Sequence, residues 1–166
     1  MDKIESKLWD ILGDARQGDP IAAEDYTFTE NCLTHPDPHF RAMACEIFYR
    51  SDHPDEFKNR AFPALEQLCA QHSGEDFSAN LLTFILQVPR PHLLFNPTLI
   101  AFVYRCAASE HWAARTNVTF ALEEFARAGD PQAIPALKHL LTAEQSSAKN
   151  NAKVALANLA AEGITE

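Results

Sequence analysis

Apolar residues recur along this chain at the three- and four-residue spacing of an amphipathic α-helix. In the first segment Ile4, Leu8, Ile11 and Ala15 form one apolar stripe between polar residues. No segment alternates apolar and polar residues with a period of two, so we predict no strands. The predicted fold is therefore all-α, with nine helices at about residues 2–17, 20–33, 38–49, 54–71, 73–88, 97–109, 110–128, 131–141 and 147–163.

The last third of the chain contains the same helix twice. Residues 114–129 and 148–163 share Ala, a base, Asn, Ala-Leu, Ala and Gly at an offset of 34 residues. The odd-numbered helices from the third onward align Phe40, Phe77, Ala114 and Ala148 in one column. A repeat period of 20–50 residues is typical of supersecondary units that stack side by side. The repeats therefore predict a stack of helical hairpins.

A six-residue segment marks a corner near each end of the chain. Ala-Arg-Gln-Gly-Asp-Pro at 15–20 returns as Ala-Arg-Ala-Gly-Asp-Pro at 126–131. Gly suits the left-handed residue that closes a helix, Asp caps the next helix, and Pro suits that helix's first position. Gly18, Gly74, Gly129 and Gly163 all fall where a helical pattern stops, so we predict that each one closes a helix.

One helix of each predicted hairpin carries a Pro in its first turns, at Pro63, Pro97 and Pro135. The partner helix carries a small residue, a base and then Ala-Leu, as in Ala114-Arg115 with Ala121-Leu122 and Ala148-Lys149 with Ala155-Leu156. In these residues the chain resembles the HEAT-repeat family, over roughly residues 20–163. The resemblance implies a right-handed α-solenoid of about four HEAT-like helical hairpins plus an N-terminal helix. It also implies a curved surface that binds other macromolecules, as in scaffolds, adaptors and inhibitors.

The composition is that of a soluble globular protein, with 46% hydrophobic and 22% charged residues, and we treat residues 1–166 as a single domain. There is no run of 18 apolar residues and no signal-peptide pattern, so we expect a cytoplasmic protein that does not contact membranes. The spacing of the cysteines does not fit a metal or redox site and predicts reduced core thiols at Cys32, Cys45, Cys69 and Cys106. Phosphate-binding and nucleophile motifs are absent from the sequence, so we predict no cofactor and no enzymatic activity.

The net charge of −9 lies entirely in the N-terminal half. Residues 1–83 hold 16 acidic and 7 basic residues, whereas residues 84–166 hold 7 of each. An acidic field repels phosphate backbones and attracts basic surfaces, which favours a basic protein partner over nucleic acid. A plain excess of acid for solubility is the structural alternative.

The candidate partner-binding residues are acidic and aromatic residues together with one column of Asn. Large aromatic side chains carry much of the energy at protein interfaces, although a lone Trp also serves as a cap on a core. An Asn side chain donates and accepts at once, which suits either a bound peptide or a loop carbonyl of the neighbouring repeat. The candidates are Asp25, Tyr26, Tyr49, Asp52, Asp55, Asn80, Trp112, Asn117 and Asn151.

Three further groups of polar residues are interpreted as structural. We expect the repeat bases Arg41, Arg115 and Lys149 to pair with acids of adjacent turns, namely Asp37, Asp130 and Glu144. Two His-Pro turns offer possible zinc ligands, but a role in the turns themselves is preferred for His35, His39 and His53 with Asp37 and Asp55. We expect the adjacent acids Glu123 and Glu124 to face solvent.

The sequence thus predicts a non-enzymatic protein-binding module, monomeric in isolation, that captures a partner with a basic surface. An acidic adaptor or inhibitor, such as a toxin-neutralising immunity protein, is the concrete form of this hypothesis. One alternative is a HEAT-like DNA-base-processing enzyme whose pocket Trp112 would line together with Glu123 or Glu124. Another alternative is a structural subunit of a larger assembly.

Overall fold

The computed structural model describes residues 3–51, 60–72, 96–144 and 146–165 of the chain. Within these residues the fold is all-α, as predicted, and contains no strand. The described helices agree with the predicted bounds to within three residues except at the start of the fourth helix, which was predicted at 54, outside the described residues, and is described from Phe62. The predicted helix at 73–88 also lies outside the described residues. The helices are α1 Lys3–Gln17, α2 Ala23–Cys32, α3 Pro38–Arg50, α4 Phe62–Gln71, α5 Pro97–Ala108, α6 Trp112–Arg127, α7 Ala133–Leu140 and α8 Ser146–Ala161.

The chain divides into two compact units, Met1–Gln71 and His72–Glu166. In the first unit α1, α2 and α4 each pack against α3. Every residue of α3 from 42 to 49 is buried, which is more than one helix face can account for. A helix that is buried all round is the centre of its unit, so α3 forms the core of this half.

In the second unit, helices that alternate along the chain are neighbours in space. The helix α6 packs against α5, α7 and α8, and α7 also contacts α5 and α8. The pair α6 and α8 and the pair α5 and α7 therefore form two layers. The fully buried side chains of Phe102, Val118, Leu122, Leu137 and Leu159 fill the space between them.

The two repeated corners have the backbone conformation that their sequence predicts. Gly18 and Gly129 adopt φ of 80° and 85°, in the left-handed region. In each corner the amide after the Gly bonds back into the helix, from Asp19 to the Asp14 carbonyl at 3.0 Å and from Asp130 to the Phe125 carbonyl at 2.9 Å. Gly163 closes α8 in the same way, so the prediction is confirmed for these three glycines. Gly74 lies outside the described residues.

The helices begin close to the predicted Pro signals. Pro97 is the first residue of α5, Pro63 the second of α4 and Pro135 the third of α7. Asp37 caps α3 by accepting the amide of His39 at 2.8 Å. After the second corner, Asp130 accepts the amide of Gln132 at 2.9 Å, so this turn delays the start of α7 to Ala133.

The Arg of the first corner joins α1 to the central helix. Arg16 donates from Nε and Nη2 to the two carboxylate oxygens of Glu46, both at 2.9 Å. Arg50 donates to the same carboxylate at 2.7 Å, one turn along α3. Glu46 is only 1% exposed, and a carboxylate this deeply buried requires such pairing. The corner therefore both turns the chain and fixes α1 against α3.

The Arg of the second corner joins α6 to the end of α8 by the same kind of ion pair. Arg127 donates to both carboxylate oxygens of Glu162, at 2.9 and 2.8 Å, and to the carboxylates of Glu123 and Glu124. The hydrogen bonds from Arg127 hold the pKa of Glu162 below its usual range. Asn158 completes the group by donating to Glu123 at 3.1 Å. The expectation that Glu123 faces solvent is wrong, because this side chain is buried and paired across the helix contact.

All four cysteines are free and buried, as predicted. Burial raises the pKa of the Cys45 and Cys106 thiols to about 12, so both are neutral near pH 7. Burial also raises the pKa of Cys32. A neutral buried thiol packs as a small apolar group, which makes these residues part of the core.

None of the described helices combines the length and apolar character that crossing a bilayer requires. The two longest, α6 and α8, have 16 residues each, whereas a span needs about 20 apolar ones.

We expect Glu46→Gln to lower the free energy of unfolding by about 2 kcal/mol, because it leaves Arg16 and Arg50 without their shared counter-charge. Glu30→Gln is the matched control, since Glu30 pairs with Arg60 at the surface and should change stability by less than about 0.5 kcal/mol. Urea unfolding followed by circular dichroism measures both. Equal losses in the two variants would contradict the role given to Glu46.

Two Gly→Ala variants should change stability in opposite directions. Gly129→Ala forces a side chain into φ +85° and should cost about 1 kcal/mol. Gly13→Ala, inside α1 with nothing within 4 Å of the added carbon, should add up to about 1 kcal/mol through helix propensity. Thermal and urea unfolding of the two variants compare them directly, and a Gly129→Ala variant as stable as the unchanged chain, or more stable, would refute the assignment of Gly129 as a left-handed cap.

Candidate functional site

The predicted partner-binding residues are distributed over both units. Asp25, Tyr26 and Tyr49 belong to the first unit, and Trp112, Asn117 and Asn151 belong to the second. The remaining three candidates lie outside the described residues, namely Asp52, Asp55 and Asn80.

Asp25 lies in a shallow groove between α1 and α2. The groove encloses about 470 Å³ and is open to solvent. We call it the acidic groove, and its lining consists of Lys3, Ser6, Lys7, Asp10, Ile11, Asp14 and Asp25.

The charges in the acidic groove are only partly compensated. Asp25 forms an ion pair with Lys7 at 3.0 Å, and the same Lys ammonium lies 4.6 Å from the centre of the Phe28 ring. Asp10 and Asp14 are exposed on successive turns of α1, and neither pairs with a base among the described residues. Like charges four residues apart in a helix cost a few tenths of a kcal/mol. A bound cation would relieve this repulsion.

Tyr26 follows Asp25 in α2 and points into a different cleft. Its ring lies 5.7 Å from that of Phe48, and its side chain is half-buried. We call this the corner cleft, because the first corner forms one wall. It encloses about 250 Å³ and is lined by Ala15, Gly18, Asp19, Pro20, Ile21, Tyr26, Arg50 and Ser51. One short helix thus supplies a carboxylate to the acidic groove and an aromatic ring to the corner cleft.

Tyr49 does not reach the surface. Its side chain is 2% exposed, so a partner could not touch it without unfolding the unit. The sequence suggested an anchor because an aromatic residue stands beside an acidic turn. That interpretation fails because α3 is surrounded by three other helices, which leaves no outward face at this position.

The second unit places its candidates on α6 and α8. Trp112 is 58% exposed at the start of α6, with its ring stacked on His111 at 6.5 Å. Asn151 donates its side-chain amide to the Thr116 carbonyl at 3.1 Å, across the contact between α6 and α8. This hydrogen bond joins two repeats, which was the predicted alternative to peptide binding. Asn117 is half-buried on α6.

Two of the three repeat bases, Arg41 and Arg115, bond to turn carbonyls. Arg41 donates to the carbonyls of His35 and Pro36, at 2.8 and 3.0 Å, and not to the predicted Asp37 carboxylate. Arg115 donates to the Ser109 carbonyl at 2.8 Å, also six residues before it. The two bases therefore hold equivalent turns, one in each unit. Their structural role matches the expectation, whereas the Asp37 partner is wrong. The pairing expected between Lys149 and Glu144 is also wrong, because these two described residues form no ion pair.

The histidines of the first His-Pro turn support the turn itself. His35 accepts the amide of Asp37 on Nδ1 at 3.1 Å, and His39 Nε2 lies 3.7 Å from a carboxylate oxygen of Glu5. Among residues 3–51, 60–72, 96–144 and 146–165, no three His, Cys, Asp or Glu side chains converge as metal ligands would. His53 and Asp55 lie outside the described residues.

Two residues of the acidic groove were missed by reading the sequence. Asp10 and Asp14 belong to the polar side of α1, and their four-residue spacing is visible in the sequence as a like-charge pair. That spacing is a usable signal, since helices normally place opposite charges there. The contribution of α2 across the groove is a tertiary fact that no local pattern contains.

Comparison with known proteins adds no family and no relative. The chain matches no protein-family model, and searches of curated proteins and of solved structures find no match.

We expect Asn151→Ala to unfold more easily than Asn150→Ala by about 1 kcal/mol, because only the first change removes a hydrogen bond between helices. The neighbouring Asn150 is exposed, and both changes gain the same helix propensity, so the difference isolates the bond to Thr116. Parallel urea unfolding gives the two values. Identical midpoints would show that the Asn151 amide contributes nothing to the α6 and α8 contact.

Proposed function

We propose that this chain is a non-enzymatic protein-binding module that captures a basic protein partner at the acidic groove, as an adaptor or inhibitor. The observation that carries the proposal is the pair Asp10 and Asp14, which remain exposed and without an ion-pair partner among the described residues. In contrast, the buried carboxylate of Glu46 in the same unit is paired with two arginines. Uncompensated acid at an open groove is where a basic side chain of another protein gains most.

Long-range attraction supports the same partner class. The acidic excess of 16 against 7 basic residues lies in residues 1–83. Within that half, α2 carries Glu24, Asp25 and Glu30 and no base. Such a field accelerates encounter with a basic surface and repels nucleic acid. Salt screens this attraction, so the association rate should fall steeply as ionic strength rises.

After encounter, the corner cleft supplies contacts that salt does not screen. Tyr26 and Ile21 present apolar surface there, and the Tyr26 ring is braced against Phe48. Braced aromatic residues lose little entropy on binding, which suits them as anchors. In this mechanism the acidic groove captures a basic side chain and the corner cleft then buries an apolar one.

The architecture we propose is a right-handed HEAT-like solenoid of about four hairpins plus the N-terminal helix. It is supported by the two-layer packing of α5 to α8, by Pro in the first turns of three helices and by the repeated corners. Four buried thiols fit a reducing compartment, so we propose a cytoplasmic location. An immunity protein that blocks a basic toxin is the concrete form of the proposal, with the module monomeric when alone.

The alternative of a DNA-base-processing enzyme is less well supported, because the carboxylates that suggested it are engaged in other contacts. Glu123 accepts from Arg127 and Asn158, and Glu124 also binds Arg127. Both carboxylates are thus bound by Arg127, and Glu123 also bonds across to α8, which leaves Trp112 without the acidic partner that a base-processing pocket would need.

The first experiment is capture of partners from a lysate of the source organism at ~50 and ~300 mM salt, read by mass spectrometry. We expect one basic protein that is retained at low salt and lost at high salt. Retention of nucleic acid in place of a protein would overturn the proposal.

The captured partner then allows a test of the groove itself. Asp10→Asn with Asp14→Asn should weaken the affinity about tenfold at ~50 mM salt and flatten the salt dependence. The control pair Glu110→Gln with Glu144→Gln removes the same charge from exposed positions of the second unit and should change the affinity less than about twofold. Equal weakening by both pairs would assign the effect to net charge and not to the groove.

A further inference from the structure

The buried carboxylate of Glu46 is shared by two arginines, which leaves one positive charge in excess. Arg16 bonds it through Nε and Nη2, and Arg50 bonds it through Nε. Among the described residues, no other carboxylate forms an ion pair with either guanidinium. Within that part of the chain, the three side chains together therefore carry one net positive charge.

The excess charge is placed at Arg50. Arg16 holds both oxygens of Glu46, and its guanidinium also lies 5.8 Å from the centre of the Trp9 ring. Arg50 uses Nε alone, so its Nη1 and Nη2 groups donate to no described residue. The Arg50 side chain is 24% exposed, compared with 44% for Arg16. Water compensates a charge less well at the less exposed position, so a bound anion gains more there.

Arg50 lines the corner cleft, which has apolar walls. Ile21 directly precedes the N-cap of α2 and Tyr26 is the fourth residue of that helix, and side chains at these two positions pack together at a helix start. The ring of Tyr26 is held 5.7 Å from that of Phe48. The cleft encloses about 250 Å³, below the roughly 300–1,000 Å³ of sites for drug-sized molecules. Its size therefore suits one or two residues of a peptide.

The corner cleft also contains one carboxylate, that of Asp19. The side chain of Asp19 forms no hydrogen bond and no ion pair within the described part of the chain, so it does not compensate Arg50. Asp19 is exposed, and water already compensates most of its charge. A ligand that fits this cleft has to match a cation at Arg50, a carboxylate at Asp19 and an apolar wall.

We propose that the corner cleft binds the carboxyl terminus of a partner protein, one that ends in a basic residue followed by an apolar one. The terminal carboxylate accepts hydrogen bonds from Nη1 and Nη2 of Arg50. The apolar side chain packs on Tyr26 and Ile21, and the basic side chain pairs with Asp19. This inference deepens the proposed function and rests on it for the class of partner, a basic protein.

Two other chain segments match the charges of the cleft less completely. An internal segment offers Arg50 a neutral carbonyl, which leaves the excess positive charge uncompensated. An amino terminus offers an ammonium group to Asp19 but again only a carbonyl to Arg50. Charge-assisted hydrogen bonds are roughly twice as strong as neutral ones, and Arg50 is the less hydrated of the two charges. A carboxylate at Arg50 is therefore the favoured contact.

The test uses the full chain and two peptides of eight residues that are labelled with fluorescein at the amino terminus and end in Lys-Lys-Leu. One has a free terminal carboxylate and the other a terminal amide. The amide peptide is the more positively charged, so attraction to the acidic half of the chain favours it. A site at Arg50 favours the free carboxylate. The two causes therefore predict opposite orders of affinity.

We expect fluorescence anisotropy to show binding of the free-carboxylate peptide at about 10–100 μM and at least fivefold weaker binding of the amide peptide. Equal affinities would overturn the inference, as would tighter binding of the amide peptide. Failure of the free-carboxylate peptide to bind up to ~1 mM would also overturn it.

The acidic groove is tested separately from the corner cleft. Asp10→Asn with Asp14→Asn should weaken both peptides alike and leave the ratio of their affinities unchanged. Equal affinities of the two peptides, together with weakening by this pair of changes, would overturn the inference and leave the proposed function standing. A fivefold ratio that persists while these changes have no effect would support the inference and contradict capture at the groove.

Variants of the arginine then locate the site. Arg50→Gln should abolish the preference for the free carboxylate, whereas Arg50→Lys keeps the charge and should retain part of it. Arg16 still binds both oxygens of Glu46 in these variants, and circular dichroism with urea unfolding checks that each one is folded. The control Arg105→Gln removes an arginine from the last turn of α5 in the second unit and should leave the ratio unchanged. A preference that survives Arg50→Gln would overturn the inference.

Two further peptides test the terminal residue and the direction of the chain. Ser in place of the terminal Leu should weaken binding about tenfold, and Tyr26→Ala should weaken the Leu peptide more than the Ser peptide. A peptide that begins with a free Leu-Lys-Lys and ends in an amide, labelled at its other end, should bind no better than the first amide peptide. Tighter binding of this peptide than of the free-carboxylate peptide would make the cleft a site for an amino terminus and would overturn the inference.

Discussion

The structure depends on one arrangement that occurs twice, an arginine in the last turn of a helix that bonds a carboxylate on or next to a neighbouring helix. Arg16 of α1 bonds Glu46 of α3, and Arg127 of α6 bonds Glu162, the residue that follows α8. In both places a left-handed Gly follows within two residues and reverses the chain. The same short segment therefore sets the direction of the next helix and fixes the position of the one after it. A buried carboxylate is costly without its base, so the pairing of Glu46, which is almost fully buried, is stable only when complete.

Hydrophobic periodicity and the Gly and Pro signals were enough to predict the described helices, because these features act within a few residues along the chain. The corners at Gly18 and Gly129 illustrate this, since no distant contact is needed to favour φ above zero there. Tyr49 and Glu123 were misjudged for the opposite reason. Whether a polar or aromatic residue faces outward depends on how many other helices surround the helix that carries it. The apolar pattern of one helix does not show how many neighbours it has.

The candidate site was predicted in part. Charge asymmetry and composition pointed to the acidic half and to Asp25 and Tyr26, which are accessible in the structure. The groove itself was not predictable, because Asp25 joins Asp10 and Asp14 in its lining only through the tertiary packing of the unit. For Asn151 the sequence left two interpretations open, binding of a peptide and a hydrogen bond between repeats. In the structure its side chain bonds the Thr116 carbonyl of the neighbouring helix.

Buried and exposed charges have separate roles in this protein. The carboxylates that join helices, Glu46 and Glu123, are paired with arginine, whereas Asp10 and Asp14 of the acidic groove are exposed. Changing an exposed charge therefore costs little stability, while changing a paired one disrupts helix packing. Such a division lets surface charge vary to fit a partner without altering the scaffold.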